Sequence, residues 1–476
     1  MPYPNIVYIL ADDLGYGDVQ ALNPEGKIPT PNLDRLASEG RVFTNAHTPS
    51  AVCTPTRYGL LTGRYPWRTR LKDGVIFDAN AEPLIDENTL TAPQVLKQAG
   101  YDTAMIGKWH LGMKWENNDW TAAARGGPVD HGFDSYLGVV SSLNLPPAAY
   151  VRDRHFIDPS AIQENVQVRG QTRTGPGDPD FDTEATLGDL TDEAVAYIQS
   201  RQGNDTPFFL YYPLTSPHTP ILPTPEFQGA SGINQYADFV MQTDAEVGRL
   251  LDALEATGQV DNTWVIFTAD NGCAPPANFP QLLAAGHNPS AGMRGCKLYH
   301  YEGGHRVPFI TRWPGRVPAG TQTSALICVT DFTRTVAELT GQSLPDDAGV
   351  DSFNKLPYFL GKGEPEPKRQ YVVSQSFEGW FSIQDERWKL CFTTSDGGYS
   401  KHRYPFHETY PDSYETFQLY DLENDFAETT NVYADNPEVV QRLTQAMDAF
   451  VNNGRSTPGT SQENTGGTNW KQVNWR

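Results

Sequence analysis

The chain is poor in cysteine, and none of its cysteines sits in a recognisable pair. Cys53, Cys273, Cys296, Cys328 and Cys391 are the five in 476 residues, and no C-x-x-C occurs among them. That excludes zinc-ribbon and thioredoxin-type motifs and leaves the redox compartment open. No apolar run reaches the length of a membrane span. Basic residues are also scarce: 36 Lys and Arg stand against 58 Asp and Glu, for a net charge of −22. A nucleic-acid binder relying on a broad basic face is thereby disfavoured. A small anionic ligand is not, because a few converging cations create a local positive site. No repeat is visible, and the strand-like NIVYIL (5–10) follows almost at once on Met1-Pro2. The expectation is a cytoplasmic protein or an exported one whose leader has been removed.

Hydrophobic residues at 38% and aromatics at 11% are ample for a large core. NIVYIL reads as a buried strand, as do YDTAMIG (101–107), PFFLYYPL (207–214) and TWVIFTA (263–269). Between them, PTPNLDRLASEG (29–40), TLTAPQVLKQAG (89–100), LTDEAVAYIQSR (190–201) and residues 238–257 carry helical periodicity and cap residues. The alternation predicts an α/β fold, a large mixed and mostly parallel sheet sandwiched by helices, over residues 1–355. After the polar link GKGEPEPKRQ (361–370), YVVSQSF, WFSIQDERWKLCF and FQLYDLEN predict an antiparallel sheet, closed by a helix over 437–451. Residues 356–476 therefore read as a smaller C-terminal α+β domain ending in an extended tail. The stretch 141–187, rich in Pro, Gly and Asp, reads as binding loops.

In open α/β sheets the ligand site lies beyond the carboxyl ends of the strands. Asp12 and Asp13 follow the first strand, and Asp270 and Asn271 follow TWVIFTA. Two acidic strand ends that meet would repel unless a cation sat between them, and oxygen ligands suit calcium or magnesium better than zinc. Lys108 and His110 follow another strand and His218 a fourth; with Lys297 in RGCKLYHYEGG they could form an anion pocket with proton-transfer groups. His47, His300 and His305 read as ordinary core or surface histidines.

Cys53 opens CTPTRYGLLTGR, four residues before Arg57. That spacing is too short for a phosphatase loop, and Pro55 lacks the amide such a loop would offer. The stretch resembles the C-x-P-x-R…LTGR signature of the type I, formylglycine-dependent sulfatases of the alkaline phosphatase superfamily. DDLGYGD, PNLDRLASEG, GKWHLG, HGFDSYLG, SPHTP, DNG, RGCKLYHYEGG and LYDLENDFAETTN extend the resemblance over most of the chain. Thr56 stands where many members carry serine.

The resemblance implies that Cys53 is oxidised to formylglycine by a formylglycine-generating or sulfatase-maturating enzyme. It implies one calcium ion held by Asp12, Asp13, Asp270, Asn271 and the modified Cys53, with Arg57 steadying that group. Lys108, His218 and Lys297 would bind the sulfate and the leaving group, and His110 would act as the base that releases the sulfated intermediate. The implied activity is hydrolysis of a sulfate ester, an arylsulfatase-like reaction on a sulfated small molecule or oligosaccharide, such as a glycosaminoglycan or algal polysaccharide fragment. Neither nucleic acid nor membrane is an expected partner, and the family implies a periplasmic or secreted location. Two alternatives stay open: a phosphoesterase or phosphonate monoester hydrolase of the same superfamily, and a non-catalytic sulfoglycan-binding protein if Cys53 is unmodified. Ser141, Ser142 and Asn144, with Arg152, Arg154 and His155, are candidate substrate contacts.

Overall fold

The computed structural model describes residues 3–363, 366–398 and 413–475. Met1-Pro2 and residues 364–365 of the polar link lie outside the described residues. Strand Asn5–Ala11 sits near the middle of a ten-stranded sheet, between Phe208–Pro213 and Thr263–Ala269, and is parallel to both. Asp102–Lys108 and then Ser135–Val139 continue the parallel set on one side. On the other side Phe309–Arg312 runs antiparallel and leads to Arg41–Phe43 and Thr321–Thr323. The sheet is therefore mixed and mostly parallel at its centre.

Both faces of this sheet are covered, which is why its strands read as continuous apolar runs. Val7, Ile9 and Ala11 point to one face, where helices Pro31–Glu39, Thr186–Ser200 and Gln235–Ala256 pack. Ile6, Tyr8 and Leu10 point to the other, covered by Cys53–Thr62, Ala92–Gln98 and Phe332–Thr340. A period of two residues along the strand thus feeds two separate cores.

Four antiparallel strands, Val372–Gln375, Phe381–Gln384, Trp388–Cys391 and Gln418–Asp421, form a second sheet. Helix Pro437–Asn452 packs on it through Leu443, Met447 and Val451. Tyr65 and Trp67 of the N-terminal part belong to the same core. The C-terminal tail wraps back over this core, with the Trp475 ring centroid 4.3 Å from that of Phe392.

The stretch 141–187 differs in part from its reading as loops alone. It contains the paired strands Val151–Arg152 and His155–Phe156, which extend the main sheet, and a separate pair, Gln163–Val166 with Gly175–Gly177. These strands are two to four residues long and carry few apolar side chains, so no alternation announced them. All five cysteines are buried and unpaired.

Candidate active site

Parallel strands deliver their carboxyl ends to one edge of the sheet, and the polar residues that follow them meet there. Asp12 and Asp13 leave the first strand, and the Asp270 amide donates to the Ala11 carbonyl at 3.0 Å, so the two acidic turns lie side by side. Lys108 ends its own strand. The preceding Gly107 has φ 134°, and a Cβ there would stand 2.0 Å from the Pro213 carbonyl oxygen. Only glycine lets these strands approach so closely.

Cys53 is the first residue of helix Cys53–Thr62. Pro55 lies in the first turn, where a missing amide hydrogen costs no helical hydrogen bond. Arg57 follows one turn later on the same face. Its Nε and Nη2 donate to Asp270 Oδ2 at 3.0 and 2.7 Å, and Nη1 donates to the Lys108 carbonyl at 3.0 Å. The C-x-P-x-R spacing therefore sets a thiol and a guanidinium side by side over the acidic strand ends.

The cations are held by the acids. Lys108 Nζ lies 2.5 Å from Asp12 Oδ2, and Lys297 Nζ lies 2.6 Å from Asp13 Oδ1. Lys297 sits on an irregular loop that is fixed by its backbone. Its amide donates to the Cys273 carbonyl, and that of Leu298 donates to the Ala51 carbonyl, both at 2.9 Å. Asn271 Nδ2 donates to Asp13 Oδ1 at 2.8 Å, and His218 Nε2 lies 3.6 Å from Asp13 Oδ2. All ten residues expected at the site from the sequence, Asp12, Asp13, Cys53, Arg57, Lys108, His110, His218, Asp270, Asn271 and Lys297, are buried in this one neighbourhood.

Asp13 and His110 adopt left-handed backbone conformations, with φ of 68° and 62°. Such conformations cost non-glycine residues on the order of 1 kcal/mol and concentrate at functional sites. The Ile76 carbonyl, 2.9 Å from His110 Nε2, can only accept, so Nε2 carries the proton and Nδ1 keeps a lone pair. That Nδ1 is buried and has no hydrogen-bond partner. Burial and the nearby Lys108 lower the His110 pKa, which keeps the ring neutral. Burial alone would raise the Cys53 thiol, but the Lys108 and Lys297 ammonium groups hold it well below the usual thiol range.

The acids show where a cation belongs. Burial and the adjacent Asp12 push Asp270 well above the usual carboxylate range. Asp12, Asp13 and Asp270 each offer an oxygen, all within 4.8 Å of one another, and Asp12 with Cys53 and His218 forms an overlapping group. Asp12 Oδ1 and Asn271 Oδ1 are buried without hydrogen-bond partners. Unpartnered buried acceptors beside crowded carboxylates fit a hard divalent cation, which would satisfy both at once.

The group opens into a cleft of about 440 Å³ bordered by Cys53, His110, His218 and Lys297 on its floor. Of the candidate substrate contacts, Ser142 and Asn144 line this cleft. Arg152 and Arg154 do not: they pair with Glu193 and Asp130 at the outer sheet edge, on the hairpin that also carries His155. Phe77, Arg173 and Phe377 line the cleft as well. They lie on irregular segments far apart in sequence, and no local pattern marks them.

The chain matches the sulfatase family model over residues 4–342, and a model for the N-sulphoglucosamine sulphohydrolase C-terminal region over 296–453. This protein belongs to the sulfatase family and is a sulfuric ester hydrolase. It is 33% identical to an N-acetylgalactosamine-6-O-sulfatase of Bacteroides thetaiotaomicron, covering 94% of this chain and 93% of that one. It is also 33% identical to human arylsulfatase A, covering 93% and 86%. A solved structure from work on the metabolism of multiple glycosaminoglycans by Bacteroides thetaiotaomicron superposes with a TM-score of 0.83 at 32% identity, covering 94% of this chain and 99% of that one.

Proposed function

We propose that the protein hydrolyses a sulfate ester on a carbohydrate of the glycosaminoglycan type, using formylglycine derived from Cys53 and one calcium ion. The observation that carries this reading is the pair of oxygens without a hydrogen bond, Asn271 Oδ1 and Asp12 Oδ1 (the latter 3.5 Å from Arg57 Nη2), beside the Cys53 thiol at the floor of an open cleft. Similarity to the N-acetylgalactosamine-6-O-sulfatase over nearly the whole chain supports the carbohydrate class.

Asp12, Asp13, Asp270 and Asn271 would hold calcium, together with residue 53, and the ion would supply positive charge to the developing oxyanions. Converted to formylglycine, residue 53 would supply a hydrated aldehyde, one hydroxyl to attack sulfur and a second through which sulfate is later released. The chain's own residues do the rest. Lys108 and Lys297 neutralise the equatorial sulfate oxygens. His218, whose Nδ1 is 2.6 Å from the Thr219 carbonyl and must donate to it, turns Nε2 toward the site, where with Lys297 it serves the leaving sugar oxygen. Neutral His110 accepts a proton at Nδ1 as sulfate departs. Arg57 fixes the helix start against Asp270. In this reading residues 1–355 are the catalytic domain and 356–476 a supporting one, and the protein is exported to the periplasm or beyond.

The test is a mass spectrum of the tryptic peptide Val42–Arg57 from protein made in its native host, joined to paired rates on an aryl sulfate and the matching aryl phosphate. An aldehyde at position 53 and faster sulfate release are expected. An intact thiol would overturn the nucleophile, and faster phosphate turnover would overturn the reaction class.

A further inference from the structure

Arg173 stands at the wall of the catalytic cleft, exposed, with its guanidinium 4.7 Å from the centroid of the Phe77 ring. The floor lysines lie against Asp12 and Asp13, where the proposed reaction places the scissile sulfate. Among the described residues no carboxylate pairs with Arg173.

The side chain is carried on a braced loop. Thr172, its neighbour, donates from both its amide and its hydroxyl to the Asn144 carbonyl at 2.9 Å. Gln171 Nε2 donates to the Leu145 carbonyl at 3.1 Å. The segment bearing Arg173 is thus tied to the segment bearing Ser142 and Asn144, which forms the adjoining wall. Asn144 Oδ1 is itself buried without a hydrogen-bond partner, an acceptor left over for a ligand donor such as a sugar hydroxyl. Phe77 is 41% exposed and offers an apolar face beside the guanidinium.

A chain of charge −22 repels a polyanion at long range. A cation with no carboxylate partner among the described residues, braced and set on an aromatic ring inside the cleft, reverses that sign locally. A guanidinium in this setting suits a planar or tetrahedral oxyanion that it can grip with two N–H groups.

We infer that Arg173 binds a second anionic group of the substrate, a carboxylate or a further sulfate, while the scissile sulfate lies on Lys108 and Lys297. The preferred substrate is then a glycan fragment carrying at least two negative charges, and Arg173 selects it. This inference rests on the sulfatase reading of the same cleft and narrows its substrate class.

The experiment compares three probes: a monosulfated hexosamine–uronate disaccharide, its carboxyl-reduced counterpart, and a disulfated hexosamine. Each is measured by sulfate release with the mature enzyme and by calorimetric binding to Cys53→Ala. A preference of about tenfold in kcat/KM and in Kd for a dianionic probe over the carboxyl-reduced one is expected. Arg173→Ala should collapse that ratio toward one, Arg173→Lys should keep part of it, and Arg173→Glu should invert it. Preference for the uronate alone identifies a carboxylate partner, and preference for the disulfated probe alone identifies a second sulfate. A wild-type ratio of one, or a ratio unmoved by Arg173→Ala, overturns the inference. Failure to release sulfate from any probe or from an aryl sulfate would overturn the proposed reaction. The binding ratio on Cys53→Ala would still decide the role of Arg173.

Discussion

Of the buried charge clusters among the described residues, two are touched by a single segment, residues 294–305. The first is the candidate active site, where Lys297 meets Asp13. The second lies where that segment meets the C-terminal sheet. There Lys389 Nζ reaches Glu302 Oε1 at 3.1 Å, Glu428 Oε1 at 3.0 Å and His305 Nε2 at 2.9 Å. Arg306 pairs with the other Glu302 oxygen at 3.0 Å, and the Glu302 amide donates to Glu428 Oε2 at 2.7 Å. His47, Glu302 and His305 have metal-ligand spacing, yet the Lys389 ammonium already supplies the positive charge that a cation would bring. The active-site cluster instead leaves Asn271 Oδ1 and Asp12 Oδ1 without hydrogen bonds, the latter with Arg57 Nη2 3.5 Å away, and opens to a cleft. Buried charge becomes a site where valence is left over and a path leads in. Where the charges close on one another it becomes a fastening.

The largest effect should come from the open cluster and should fall on turnover. Cys53→Ala removes the nucleophile, so kcat should drop by ~10⁴-fold or more while substrate binding, read by calorimetry, persists. Retained turnover would mean that residue 53 is not the nucleophile. Changes in the closed cluster should fall first on stability. Lys389→Met leaves Glu302 and Glu428 buried without their shared cation, and breaking such a pair costs about 3–5 kcal/mol. Denaturant midpoints read this directly. Arg387→Met, two residues from Lys389 on the chain, breaks a surface pair with Asp421 and should move the midpoint far less. Equal shifts for the two would erase the distinction between fastening and ornament. Because residues 294–305 link the clusters, Lys389→Met should also lower kcat through a displaced Lys297.

Much of the open cluster was legible because its members follow parallel strands, and sheet topology alone gathers those ends. Asp12, Asp13, Asp270, Asn271, Lys108 and His218 needed only the strands to be recognised. Cys53 and Arg57 came from one helical turn. Lys297 is positioned by its own backbone bond to Cys273 and by that of Leu298 to Ala51, partners 24 and 247 residues away, and no strand end places it. The closed cluster left no trace in sequence. Glu302, Lys389 and Glu428 come from a short helix, a strand of the second sheet and a loop, and His47 and His305 read as ordinary core residues. Arg173 and Phe77 meet only because irregular loops fold toward each other. Periodicity reports which face a residue takes on its own element and carries no information about such long-range meetings.

Acid should separate the regions by a smaller effect. Burial lowers His47, in the closed cluster, to about 3. Burial likewise lowers His131, whose ring stacks on Trp109 beside the active site, to about 4. Unfolded, each titrates near 6.5. Both rings therefore stay neutral in the native state while the unfolded chain gains protons, so their contribution is complete above pH ~6.5 and is lost as pH falls toward each folded value. His131→Phe keeps an aromatic ring against Trp109 and removes the titration. Between pH 7 and 4.5 the wild type should lose roughly 2–3 kcal/mol of unfolding free energy through His131 that the variant retains. The acid-induced loss that remains in the variant then holds the His47 contribution, and His47→Asn in that background should reduce it further. If His131→Phe and wild type lose stability in parallel, His131 already accepts its proton in the folded state, and the burial argument fails for the active-site side while standing for the closed cluster.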